Sequence, residues 1–185
     1  EYYKALDNYK KSLDIRLKIL GESHPEVARN FEYIGIVSYC KEEYGSAILA
    51  FEKCLSIYSS GFENSTISSV YLNLGDCYFQ TKDYKSAKKM LELGYEIQKK
   101  EEITLNESNY FEMLAKCEME LGNKEIALKL FIESVKLIVN VSEHGSELEP
   151  KFDSFQNILK LAKELNKESE IPSWIKNYSR GGESS

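Results

Sequence analysis

Proline is scarce in this chain: Pro25, Pro150 and Pro172 are the only three in 185 residues. Long stretches therefore run without the residue that most strongly breaks helices. The two histidines, His24 and His144, stand far apart, and no HExxH element, nucleophile elbow or phosphate-binding glycine loop occurs. The adjacent carboxylates Glu42-Glu43 and Glu101-Glu102 do not face each other on a helix and make no acid–base pair. A non-enzymatic protein is expected, with no cofactor, no metal and no small-molecule substrate. A basic stripe is missing too, with 24 Lys and Arg against 30 Asp and Glu. Nucleic acid requires clustered cations that release counterions, so it is not an expected partner. No apolar run approaches the roughly 18 residues of a membrane span, and no signal-peptide pattern opens the chain. Neither a membrane partner nor secretion is expected, and the cytoplasm is the expected compartment.

Cysteine is present but unpaired by spacing: Cys40, Cys54, Cys77 and Cys117 lie far from one another and form no CxxC element. All four fall within apolar helical patterns and are expected as small buried hydrophobes in a reducing compartment. The sequons at Asn64, Asn106, Asn140 and Asn177 read as chance in a chain rich in Asn and Ser.

What is present is ordinary globular composition, 42% hydrophobic and 29% charged, which excludes wholesale disorder. A chain of this length suits one domain, although length alone does not exclude two small ones, and it buries roughly 70% of its unfolded surface. The acidic excess is local. Residues 101–150 carry eleven acids and four bases, and the rest of the chain is close to neutral.

Self-comparison reveals a period of 40 residues. Tyr33-Ile34-Gly35, Asn73-Leu74-Gly75 and Met113-Leu114-Ala115 align, each ending on a very small residue. Twelve residues later come Ala47, Ala87 and Ala127; then Phe51, Leu91 and Phe131; then Cys54, Gly94 and Ser134. Ala5, Tyr9 and Ser12 repeat the second half of this register. Small side chains at fixed spacing let two antiparallel helix backbones approach while a large neighbour fills the adjoining hole. Gly35, Gly75 and Ala115 are expected on first helices, facing Ala47, Ala87 and Ala127 on second helices. A glycine inside a helix costs about 1 kcal/mol against alanine, so two in phase imply a packing demand.

The spacing predicts a second-type helix over 2–20, then pairs 25–42/45–60, 65–81/84–100 and 107–121/124–140. Turns are expected near Glu43, Lys82-Asp83 and Gly122-Asn123. Ser23-His24-Pro25-Glu26 reads as an S-x-x-E capping box, and Asn64 to Thr66, Thr104 and Asn106 offer later N-caps. A final helix over about 150–166 breaks the register. Phe152, Phe155, Ile158, Leu159, Ala162 and Leu165 give it one apolar face, as a stack needs to close its end. The expected organisation is a repeat array over 1–146, capping helices over 147–179 and a flexible tail over 180–185. Ile171, Trp174, Ile175 and Tyr178 are expected to tuck back onto the cap.

These residues resemble the tetratricopeptide repeat, in its longer kinesin-light-chain-like form. The stretch from Leu17 to Ala28 is especially similar to a linker of that form. The resemblance covers residues 2–140, a half repeat and three full ones. It implies an all-α fold, a right-handed α-solenoid of antiparallel helix pairs ended by a capping helix. On that reading Tyr2, Tyr3, Ala5, Tyr9 and Leu13 form a face lacking its first helix, and a longer protein is expected.

The resemblance further implies a concave surface of first helices that binds a protein or peptide segment. Carried over position by position, that surface comprises Arg29, Tyr33, Ile36 and Tyr39, then Asn73, Asp76 and Phe79, then Met113, Lys116, Met119 and Glu120; Glu32, Cys40, Ser69, Leu72, Gln80, Asn109 and Glu112 flank these. Kinesin-light-chain-like repeats place asparagine amides two before and one after the small residue, where they hydrogen-bond a ligand backbone. Asn73 keeps that pattern; Tyr33, Ile36, Met113 and Lys116 depart from it. Asp76, Glu112 and Glu120 make the surface less basic than one that takes acidic tryptophan-containing peptides. The expected function is a non-catalytic interaction scaffold or adaptor. The alternatives are a regulatory or sensory segment of a larger effector (a kinase, protease or NTPase) and a structural subunit of a large assembly. The oligomeric state and the partner's identity are not set by the residues.

Overall fold

The structure is a computed structural model of the chain and describes residues 1–58, 64–102, 106–143, 152–173 and 175. Eight α-helices and no strand occur among the described residues: α1 (Tyr2–Leu20), α2 (Pro25–Cys40), α3 (Tyr44–Tyr58), α4 (Asn64–Gln80), α5 (Tyr84–Lys100), α6 (Glu107–Glu120), α7 (Lys124–Glu143) and α8 (Phe152–Glu164). A 3-10 turn follows at Glu168–Glu170. The fold is all-α and built from packed neighbouring helix pairs. It divides into two compact units, Glu1–Leu105 and Asn106–Ser185.

In the first unit each helix packs on the next from α1 to α5, and α2 also meets α4. Ala28, Ala47, Phe51, Cys54, Tyr58, Val70, Leu74 and Cys77 form its core. A large apolar side chain contributes roughly 1.5–3 kcal/mol when fully buried, so this cluster supplies the drive that short isolated helices lack. In the second unit α6 packs on α7 and α7 on α8. Ala115, Ala127, Phe131, Phe155, Ile158, Leu161, Ala162, Ile171 and Ile175 are among its core residues.

The glycines do what their phase implies, with one correction. A Cβ on Gly35 would lie 2.6–2.8 Å from three ring carbons of Phe51, and one on Gly75 would lie 2.7–2.8 Å from Leu91. The residue opposite each glycine is thus the large one sixteen positions on, rather than the alanine twelve positions on. Ala47, Ala87 and Ala127 are completely buried, and Ala87 offers its carbonyl oxygen 3.3 Å from the Gly75 Cβ position. Ala115, whose side chain already occupies the corresponding place, is buried in one cluster with Phe131.

The turns repeat as well. Glu42, Lys82 and Gly122, each seven residues after the small residue, adopt positive φ of 61°, 63° and 86°. That left-handed step lets the chain reverse within three residues. Asp83 then caps α5, its carboxylate accepting from the Ser86 N–H at 3.1 Å.

Four expectations are corrected. The N-cap of α2 is His24, not Ser23: its Nδ1 accepts from the Glu26 N–H at 3.1 Å, with Pro25 opening the helix. Cys54, Cys77 and Cys117 are buried but Cys40 is exposed, because it ends α2 on the same stripe as the exposed Arg29, Tyr33 and Ile36. Leu161, absent from the expected apolar face of α8, is buried, whereas Leu159 and Leu165 are only partly so. Asn106 stands at the N-cap of α6 but makes no side-chain capping bond. Ile171 and Ile175 do pack into the core. Thr104, Trp174, Tyr178 and the tail 180–185 lie outside the described residues.

Candidate functional site

The candidate residues lie on three first helices, of which α2 and α4 share a unit. On α2, Arg29, Tyr33, Ile36 and Cys40 follow one another at spacings of four, three and four, a single stripe, and all four are exposed. Tyr39 turns partly inward and packs against the core. Its hydroxyl donates to Asp76 Oδ2 of α4 at 2.7 Å, and Gln80 Nε2 donates to Asp76 Oδ1 at 3.0 Å. The Asp76 carboxylate thus bridges the two first helices. Burial, joined by the carboxylate it serves, drives the Tyr39 phenol well above its ordinary value, so Tyr39 stays a neutral donor at any physiological pH.

Aromatic pairs fix the ends of these helices. Tyr39 meets Tyr44 edge-on with ring centroids 5.6 Å apart, and Phe79 meets Tyr84 at 5.3 Å. Phe79 is therefore half-buried in a turn contact as well as bordering the surface. Asn73 is half-exposed, and no hydrogen bond holds its side-chain amide among the described residues.

Arg29 is tied to Glu26 at 3.1 Å, and Glu26 in turn to Arg16 of α1 at 2.9 Å. Arg16 also donates to Asn30 Oδ1, and Asn30 Nδ2 donates to the Tyr9 carbonyl at 2.9 Å. Tyr33 stacks on Tyr9 with centroids 5.1 Å apart and planes 26° from parallel. Tyr9, Arg16 and Asn30 fall outside the surface expected from the repeat positions. The signal for Tyr9 lay in the register itself, which gives it the place of Phe51 and Leu91. Glu32, beside this network, accepts from the Tyr58 hydroxyl at 3.4 Å, and burial raises its carboxyl above the usual range.

In the second unit, Met113 is half-buried and Glu120 exposed on α6. Met119 packs against the α7–α8 core. Lys116 pairs with Glu112 at 2.6 Å. Glu112 is itself buried, so it is a structural anion, compensated by Lys116, and no part of an open surface.

Among the described residues no group of His, Cys, Asp and Glu side chains could hold a metal ion. No helix among them is long and apolar enough to cross a membrane.

Two tetratricopeptide-repeat family models match the chain, one over residues 1–60 and one over residues 68–101, together just over half its length. The chain belongs to the tetratricopeptide-repeat family. Among solved structures, it is similar to TPR-like repeats of a protein described as a kinesin light chain from Podosopora anserina. The TM-score is 0.73 at 14% identity, over 97% of this chain and 86% of that one. A form of the same repeats with one glutamine replaced by methionine gives 0.74 at 14% identity, over 97% and 85%. The structure of MamA gives 0.68 at 14% identity, again over 97% and 85%. No curated protein matches the sequence. At this identity the neighbours establish the fold alone. Tetratricopeptide repeats as a class serve protein–protein interaction, through the extended surfaces that stacked helix pairs create.

Proposed function

We propose that this chain is a non-catalytic scaffold that binds a partner's peptide segment along the first-helix surface of α2 and α4, with Met113, Lys116, Met119 and Glu120 of α6 as its counterpart in the second unit. The observation that carries the reading is the Tyr39–Asp76–Gln80 bridge. It fixes one first helix against the next and leaves, on either side, the Asn73 amide and the exposed Tyr33 and Ile36. A pre-organised surface of amide and aromatic groups loses little entropy when a peptide binds, and a primary amide can both donate to and accept from a peptide backbone. Free thiols and the lack of any disulfide among the described residues fit the reducing cytoplasm in which we place it.

The test uses peptides selected from a random display library on the full chain. Their affinities are then measured by fluorescence anisotropy against Asn73→Ala and Tyr39→Ala, with circular dichroism to check helicity. A loss of about fivefold or more for Asn73→Ala at unchanged helicity is expected, on the order of one hydrogen bond. Equal affinity of both variants and the parent protein removes this surface from consideration.

A further inference from the structure

The charges along the α2–α4 surface are balanced at one end and not at the other. Within these two helices the ionised side chains are Glu26, Arg29, Glu32 and Asp76. The first three lie toward the start of α2. There Glu26 is bound to Arg29 at 3.1 Å and to Arg16 of α1 at 2.9 Å, and the charge of Arg29 also reaches Glu32. In the turn beyond α2, Lys41 is held by Glu43 at 2.6 Å. Asp76 is held differently. Its two contacts, the Tyr39 hydroxyl at 2.7 Å and the Gln80 amide at 3.0 Å, are both neutral. Neither Lys82 nor any other cation among the described residues forms an ion pair with it. The Tyr44 phenol, edge-on to Tyr39, is raised by partial desolvation and then by the charges of Glu42 and Asp76. The field at this end of the surface is therefore negative.

We infer that the peptide bound on this surface carries a lysine or arginine that pairs with Asp76, about three residues from an aliphatic side chain seated on Tyr33 and Ile36. This names the partner's chemistry for the surface proposed above and rests on that reading. A carboxylate accepts about four hydrogen bonds, and Asp76 accepts two, so positions remain for the donors of a cation. Tyr39 and Gln80 fix the carboxylate before any ligand arrives, which lowers the entropy lost on pairing. Asp76 is half-buried, where a charge pair is screened less than in open solvent. The spacing follows from the register. The counterpart of Asp76 on α2 is Ile36, 40 residues earlier, and Ile36 and Tyr33 are 37% and 39% exposed. Helices α2 and α4 are in contact, and the axes of packed helices lie about 8–10 Å apart. An extended peptide advances about 3.3 Å per residue, so it crosses from one helix to the other in about three residues. An acidic peptide would set like charge against Asp76 with no cation to offset it.

The full chain and its Asp76→Asn variant, which keeps an acceptor for the Tyr39 hydroxyl, are each used to select from the same random peptide display library. Peptides taken by the parent chain should be enriched in Lys or Arg about three residues from Val, Ile or Leu, and those taken by Asp76→Asn should not. Synthetic copies of the parent's peptides should bind Asp76→Asn about five- to tenfold more weakly at low salt, with the difference shrinking in about 0.5 M NaCl. Replacing the basic residue of the peptide by glutamine should cost as much on the unaltered chain, a measurement that does not depend on how the variant folds. The two changes together should cost little more than either alone. Peptides without a basic residue, equal enrichment with both proteins, or additive losses overturn the inference. Peptides weakened by Asn73→Ala yet indifferent to Asp76→Asn overturn it while leaving the surface in place. Peptides indifferent to both Asn73→Ala and Tyr39→Ala remove the surface itself, and the inference with it.

Discussion

Gly35→Ala sets two effects of known size against each other. Helix propensity favours alanine over glycine by about 1 kcal/mol in a helix interior. Against this, the new methyl would stand 2.6 Å from one Phe51 ring carbon and 2.8 Å from two others, well inside contact distance. Phe51 is fully buried, so its ring has no open side, and overpacking of this kind costs about 1–3 kcal/mol. The helices can respond by moving apart, and the upper bound is tempered by the third pair, which accommodates Ala115 and Phe131 in one core. The expected net loss for Gly35→Ala is about 1 kcal/mol, a drop in Tm of roughly 2–4 °C for a protein of this size. Gly75→Ala should cost more, because the Ala87 carbonyl at 3.3 Å closes a second direction of escape. Gly45 is the control. It sits near the start of α3 with nothing within 4 Å of its would-be Cβ, and Gly45→Ala should stabilise by up to about 1 kcal/mol. Urea denaturation of all three variants decides the matter, with Gly35→Ala/Phe51→Leu completing a double-mutant cycle whose coupling should be favourable. If Gly35→Ala is as stabilising as Gly45→Ala, glycine is not there for close approach, and the steric basis of the repeat fails.

Glu42 and Lys82 hold positive φ where the third turn uses Gly122. A side chain there costs about 1–2 kcal/mol, and glycine's greater freedom in the unfolded chain returns part of that. Glu42→Gly and Lys82→Gly should therefore each raise stability by up to about 1 kcal/mol in denaturant titrations, and Gly122→Ala should lower it. Partial burial lifts the half-buried Glu32 carboxyl above its ordinary value of 4.5. A raised folded-state value means that its stabilising contribution is complete below the unfolded value and is lost as pH rises through the folded one. Glu32→Gln should flatten the stability profile in the interval just above pH 4.5, as followed by thermal melts across pH; an unchanged profile would contradict that environment for Glu32.

Much of the fold was legible because close packing of two backbones restricts residue type. Only glycine or alanine suits the contact, and a 40-residue period of such residues marks each helix pair from the order of residues alone. Helix bounds followed from the same spacing and from the turns, and lie within three residues of those expected for α1 to α8. The candidate surface was legible only as a set of register positions. Register says which way a residue points, not what it meets there. The Tyr39–Asp76 bond joins residues 37 apart, and the Tyr9–Tyr33 stack joins two separate helices; neither has a local signature. The same holds for Glu112, whose place in the repeat suggested an open surface and whose carboxylate is buried against Lys116.

By itself, then, the sequence determined the helices, their pairing and the phase in which small and large side chains alternate, because those depend on neighbours a few positions away or one period on. Tertiary structure alone decided that Phe51 and Leu91, not Ala47 and Ala87, lie over the glycines, and that the Tyr39 hydroxyl meets Asp76 of the next first helix. Those outcomes turn on differences of an ångström in how far two helices slide and rotate against each other, and a periodic pattern is insensitive to displacements that small.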